Sequence, residues 1–129
     1  FEAAQDLALL ESLDITHILN VSSDLPCLHS NLQYKTVIVD DVEDQEITHE
    51  FEGCNEFISQ ALQSGTSVLV HCLHGISRSP TVVLAFLIGV RRMRLEEAYS
   101  HVTEVHARAS PNLGFIRQLK RYDNEVVSE

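Results

Sequence analysis

The chain has 129 residues, 44% of them hydrophobic, and a formal net charge of −10, which fits one packed core. The acidic balance argues against non-specific binding to nucleic acid or to an anionic membrane, and no apolar run approaches the ~20 residues that cross a bilayer. Cys27, Cys54 and Cys72 are scattered and odd in number; they make no disulfide framework and suit a reducing cytoplasmic or nuclear compartment, and without a basic-apolar leader secretion is not expected.

Leu7, Leu9, Leu10 and Leu13 recur at helical spacing over residues 2–13. Residues 16–21 read as a buried strand. Residues 22–31, with Pro26, Ser and Asn, read as a loop, and residues 33–39 as a second strand. Residues 40–46 form an acidic, exposed stretch. Ile47, Phe51, Cys54, Phe57, Ile58, Ala61 and Leu62 give an amphipathic helix over 47–63, ended by Gly65. Residues 67–71 are predicted to be the central strand, and three helices follow near 79–92, 95–108 and 112–126. Strands separated by helices imply right-handed crossovers and a mainly parallel, twisted sheet flanked by helices. The class is α/β, in one domain over residues 1–129. Sites in such sheets lie beyond the carboxyl end of a strand.

Residues 68–80 read V-L-V-H-C-L-H-G-I-S-R-S-P and place Cys72 at such a strand end. The stretch from Leu73 to Ser77 can turn its backbone N–H groups inward at the positive end of the helix that follows, a setting that holds a dianion and favours a thiolate. A free cysteine thiol titrates at about 8.5, and helix N-termini with nearby cations bring such thiols to ~3.5–7.5. Arg78 offers a planar fork of donors for two phosphate oxygens. Gly75 allows a turn that a side chain would obstruct, Pro80 suits the first helical turn, and the Ser79 hydroxyl can reach the Cys72 sulfur as it leaves. A lone cysteine after a core strand would read as packing; His71, Gly75, Arg78 and Ser79 at matching spacing argue for chemistry. His71, adjacent on a strand, should point to the opposite face and orient the loop through backbone rather than shuttle protons. His17, His29, His49, His101 and His106 show no metal-ligand spacing, and His74 lies inside the loop without an evident role.

The pattern H-C-x-x-G-x-x-R-S resembles the signature of the cysteine-dependent protein tyrosine phosphatase superfamily, and H-C-L-H-G-I-S-R-S-P is similar to its dual-specificity branch. I-T-H-I-L-N-V (Ile15 to Val21) resembles that family's early strand. S-P-N-L-G-F (Ser110 to Phe115), followed by Gln118 and Leu119, is similar to the start of its last helix. The resemblance runs over nearly the whole chain and implies a protein tyrosine phosphatase-like fold. The family has a short strand ahead of its first helix, whereas Phe1 leads almost directly into this one. Either that edge strand lies outside this sequence or this chain lacks it.

The implied activity is hydrolysis of phosphotyrosine and phosphoserine or phosphothreonine through a phosphocysteine. Cys72 is the implied nucleophile, Arg78 with residues 73–78 (Leu73, His74, Gly75, Ile76, Ser77) the phosphate cradle, Ser79 the aid to the departing sulfur, and Asn112 a brace for the loop or a helix N-cap, or both. The acid that protonates the leaving oxygen comes from the loop with Asp40, Asp41, Glu43, Asp44 and Glu46. Asp41 matches the family pattern best, standing ten residues before Phe51 and 31 before Cys72, with Asp40 and Asp44 as alternatives. No metal or cofactor is expected, since Arg78 and the loop dipoles supply the charge. The lack of Trp and of a K-N-R-Y-like segment implies a shallow pocket open to all three phosphoresidues. A phosphoprotein is the expected partner, with a mitogen-activated kinase as the candidate that the resemblance suggests and with neither nucleic acid nor membrane involved; the sequence does not reveal the physiological substrate.

An RNA 5′-phosphatase is the first alternative, since Leu73-His74-Gly75 echoes its loop, although Ser77-Arg78-Ser79-Pro80 departs from it. A catalytically weak phospho-binding scaffold is the second. Arg91, Arg92 and Arg94, with Arg117, Lys120 and Arg121, read as solvated helix ends or as a docking patch. Cys27 or Cys54 could pair with Cys72 on oxidation, against a plain packing role.

Overall fold

A computed structural model describes residues 15–22, 32–72 and 76–129. Strand β1 (Ile15–Ser22) is buried at every position except half-buried Thr16. It pairs in parallel with β2 (Gln33–Ile38) on one side and with β3 (Ser67–His71) on the other. The order is β2-β1-β3, so the sheet is parallel throughout its described strands. The central position predicted for residues 67–71 belongs instead to β1 among these strands. The apolar run Val68-Leu69-Val70 reports cover on the faces of a strand, and pairing order is set by crossovers that periodicity does not read.

Helix α1 (Phe51–Gln63) follows a 3₁₀ turn over Thr48–Glu50, so the predicted helix starts four residues late. The first turn closes i to i+3, with the Glu50 N–H on the Ile47 carbonyl at 2.9 Å, and the N–H groups of Ile47 and Thr48, which have no partner within a first turn, donate to the Gln118 side chain. Gly65 ends the segment at φ +76°, where a side chain would be strained. Helix α2 (Arg78–Gly89) begins directly after the loop that follows β3, α3 (Leu95–Val105) packs on it, and α4 (Leu113–Val127) closes the chain. The predicted helix over 2–13 and loop over 22–31 fall largely outside the described residues.

One core joins these layers. Leu19 and Val21 of β1, Phe51, Cys54 and Ile58 of α1, Val82, Leu84, Ala85 and Ile88 of α2, and Phe115 and Leu119 of α4 are each at most 4% exposed. Burying such side chains stabilises by ~1.5–3 kcal/mol each. Phe115 and Leu119 anchor α4, which leaves its other residues in a fixed rotation. Asp123, 6% exposed, takes the Arg94 Nε at 3.0 Å and the Leu95 N–H at 3.3 Å, tying the start of α3 to α4. Arg92 reaches the Val126 carbonyl and Glu129, and Arg91 lies over the Phe86 ring. The three arginines of the 91–94 cluster are therefore engaged by the fold itself. No helix among the described residues is long and apolar enough to cross a membrane.

Candidate active site

The six residues from Cys72 to Ser77 join the end of β3 to the start of α2. Cys72 is 2% exposed. Its sulfur lies 3.3 Å from the Ser79 hydroxyl and receives the Ser79 backbone N–H at 3.4 Å. One residue of the first helical turn thus presents two polar groups to one sulfur, at the end of the helix where the dipole favours negative charge. An apolar cavity of about 510 Å³, lined by Val70, Val83, Leu87 and Val102, also touches Cys72 and Ser79; Asp41, Arg78 and Asn112 do not line it.

Arg78 donates from a terminal nitrogen to the Val39 carbonyl at 3.1 Å. Its Nε is buried and has no hydrogen-bond partner among the described residues. A guanidinium pinned at one corner with a buried donor unused is suited to an arriving anion, because buried donors are otherwise nearly always satisfied. The Ser77 hydroxyl accepts the Asn112 N–H at 2.9 Å, and the Ser77 carbonyl accepts from Thr81 through both its N–H and its hydroxyl. The Ile76 carbonyl accepts the Ser110 N–H at 2.6 Å. Leu73, His74 and Gly75 lie outside the described residues.

His71 is 7% exposed, opposite Asn20 in the ladder. Burial pushes its ring down to about 4, against an opposing hydrogen bond with the Cys72 backbone. The ring is therefore neutral at ordinary pH. Cys54 is fully buried in the core, and burial pushes its thiol up to about 11; packing accounts for it. Cys27 lies outside the described residues.

The acidic loop follows β2, which lies across β1 from β3, and leaves the same carboxyl end of the parallel sheet. Asp41 is exposed, and its carboxylate accepts the Asn112 side-chain N–H at 2.9 Å. Asn112 Oδ1 in turn accepts the Phe115 N–H at 2.9 Å, so one side chain caps α4 and meets the acidic loop. Among the competing acids, Glu43 faces Arg117 at 3.8 Å and Glu46 pairs with His49 at 3.3 Å. Cys72 thus meets Ser79, Arg78 rests on Val39, and Asn112 joins Asp41 to Ser77.

Three contributors escaped sequence reasoning. The Val39 carbonyl holds Arg78. A Cβ on Gly114 would land on the Glu43 carbonyl, so the missing side chain is what lets the acidic loop lie on α4. Gln118 reaches the far end of the same loop. Gln118 stands in the S-P-N-x-G-F-x-x-Q-L spacing, but nothing in that spacing reveals what its amide touches.

A parallel α/β sheet with a cysteine-to-arginine loop running from a strand end into a helix N-terminus defines the cysteine-dependent phosphatase class. The family model for the dual specificity phosphatase catalytic domain matches residues 1–125. The chain is 45% identical over 125 residues to dual specificity protein phosphatase 1 of Arabidopsis thaliana, covering 96% of this chain and 63% of that protein. It is 38% identical over 127 residues to dual specificity protein phosphatase 5 of Homo sapiens, covering 96% and 33%. The chain therefore spans between a third and two thirds of these curated relatives. Its fold superposes on the crystal structure of human DUSP28 with a TM-score of 0.94 at 28% identity, covering 98% of this chain and 86% of that one. Against the human tyrosine phosphatase-like serine/threonine/tyrosine-interacting protein the TM-score is 0.93 at 30% identity, with 98% and 89% covered. The chain belongs to the dual specificity phosphatase catalytic domain family.

Proposed function

We propose that this domain hydrolyses phosphate monoesters on phosphotyrosine, phosphoserine and phosphothreonine of proteins by way of a phosphocysteine. The observation that carries this reading is that Asn112 joins the Asp41 carboxylate to Ser77 in the loop of Cys72. Nucleophile, anion clamp and proton donor then share one frame.

In the first step the Cys72 thiolate attacks phosphorus, forming the S–P bond as the P–O bond to the leaving group breaks. Asp41 gives its proton to that oxygen. Arg78 and the loop amides take the charge on the equatorial oxygens. In the second step water attacks the phosphocysteine, Asp41 accepts the proton of the water, and the S–P bond breaks. The Ser79 hydroxyl and N–H receive the returning thiolate. General acid catalysis of this kind contributes ~10²–10⁴-fold.

Hydrolysis of a small aryl phosphate by the wild-type protein, with Cys72→Ser as control, tests the chemistry. Indistinguishable rates would favour the phospho-binding scaffold instead. A panel of phosphotyrosine and phosphothreonine peptides, one of them copied from the activation segment of a mitogen-activated kinase, with an inositol phosphate and an RNA 5′-triphosphate, tests the substrate class. A preference for the RNA would overturn it.

A further inference from the structure

We infer that Gln118 is a positioning residue for the general acid, acting through Gln45; the inference rests on the reading of Asp41 as that acid.

Gln118 stands on α4 and is 8% exposed. Its Oε1 accepts three hydrogen bonds, from the Ile47 N–H at 2.8 Å, the Thr48 N–H at 3.1 Å and the Thr48 hydroxyl at 3.1 Å. Its Nε2 donates to the Gln45 carbonyl at 2.8 Å. A single amide therefore fixes residues 45, 47 and 48, where the acidic loop runs into the 3₁₀ turn. Gln45 carries the constraint onward, because its own Oε1 accepts the Asp40 N–H at 3.0 Å and its backbone N–H donates to the Val42 carbonyl at 3.1 Å. The loop is thus closed into a ring whose two ends meet at Gln45, with Asp41 on the ring. Asn112 holds the carboxylate itself, and the bare Cα of Gly114 seats Glu43. Residues 112, 114 and 118 together give the first two turns of α4 three grips on one loop.

The energetics favour a positional role. The loop side chains from Asp40 to Asp44 are exposed, so apolar burial does not hold this segment. Hydrogen bonds to a buried amide hold it instead, and leaving a buried partner unsatisfied costs more than the bond itself contributes. Releasing Gln118 frees the ring while leaving Phe115 and Leu119 to hold α4 on the core.

The test compares hydrolysis of 2,4-dinitrophenyl phosphate, whose leaving group departs without a proton, with phenyl phosphate, whose leaving group needs one. Gln118→Leu is expected to lose about tenfold in kcat/KM on phenyl phosphate, which reads the first phosphoryl transfer and not the later hydrolysis of the phosphocysteine, part of the ~10²–10⁴-fold that an acid supplies, and less than about twofold in kcat/KM on the dinitrophenyl ester. Gln45→Ala, in an exposed loop, should show the same selectivity and guards against misfolding of the buried variant. In an Asp41→Asn background Gln118→Leu should cost nothing further. Equal losses on both esters, or an undiminished loss without Asp41, would overturn the inference. An Asp41→Asn variant with no leaving-group selectivity of its own would instead sink the acid assignment beneath it.

Discussion

Asn112 and Asp41 stand 71 residues apart in the chain and meet in a 2.9 Å hydrogen bond. The same asparagine caps α4 through Oδ1 and reaches the loop of Cys72 through its backbone N–H. Asn112→Ser separates these duties, since serine is a comparable cap with no amide to reach Asp41. A melting temperature near wild type should accompany a loss of about tenfold on phenyl phosphate, a share of the acid's contribution. Unchanged turnover would show that the bond does not hold the acid.

Gly114→Ala places a methyl group on the Glu43 carbonyl, a backbone atom that cannot rotate away. Alanine is the better helix former by ~1 kcal/mol, so any loss must come from the collision. The expected outcome is lower turnover on poor leaving groups, with far-ultraviolet circular dichroism unchanged. An enzyme as active as wild type would mean that the acidic loop yields freely.

Burial holds His71 at about 4 in the folded chain, against about 6.5 when unfolded. Between these values the unfolded chain binds the proton and the folded one does not. Stability should therefore fall as pH drops from about 6.5 towards 4, by at most about 3 kcal/mol, and be independent of this group above that window. Urea unfolding of wild type and His71→Gln across the range measures it. Parallel curves for the two proteins would contradict the assignment.

Cys54 is fully buried, with its thiol held at about 11. Iodoacetamide near neutral pH should label Cys72 and leave Cys54 intact, and orthovanadate should protect Cys72. Mass mapping after brief exposure reads both sites. Labelling of Cys54 at a comparable rate would reopen a redox partnership between it and Cys72.

Much of the fold was legible because its elements are set by local periodicity. Phe51, Cys54 and Ile58 mark the buried stripe of α1, and the run from Val82 to Ile88 marks α2. Boundaries slipped by a turn: the entry to α1 is a 3₁₀ turn over Thr48–Glu50, which apolar periodicity does not separate from an α-helix. Strand order was not legible either, since β1 and β3 are both apolar and only crossovers distinguish a middle strand from a flanking one.

The sequence by itself determined the surroundings of Cys72, because its contacts there are local. Cys72, Arg78 and Ser79 fall within one strand end and one helical turn, and backbone geometry alone brings Ser79 to the sulfur. Only the tertiary structure decided which carboxylate of residues 40–46 meets Asn112, how Gly114 and Gln118 grip that loop, and that Arg78 rests on Val39. Those contacts join groups about 40 to 70 residues apart, and no spacing along a chain encodes them before Phe115 and Leu119 have packed α4 against the core.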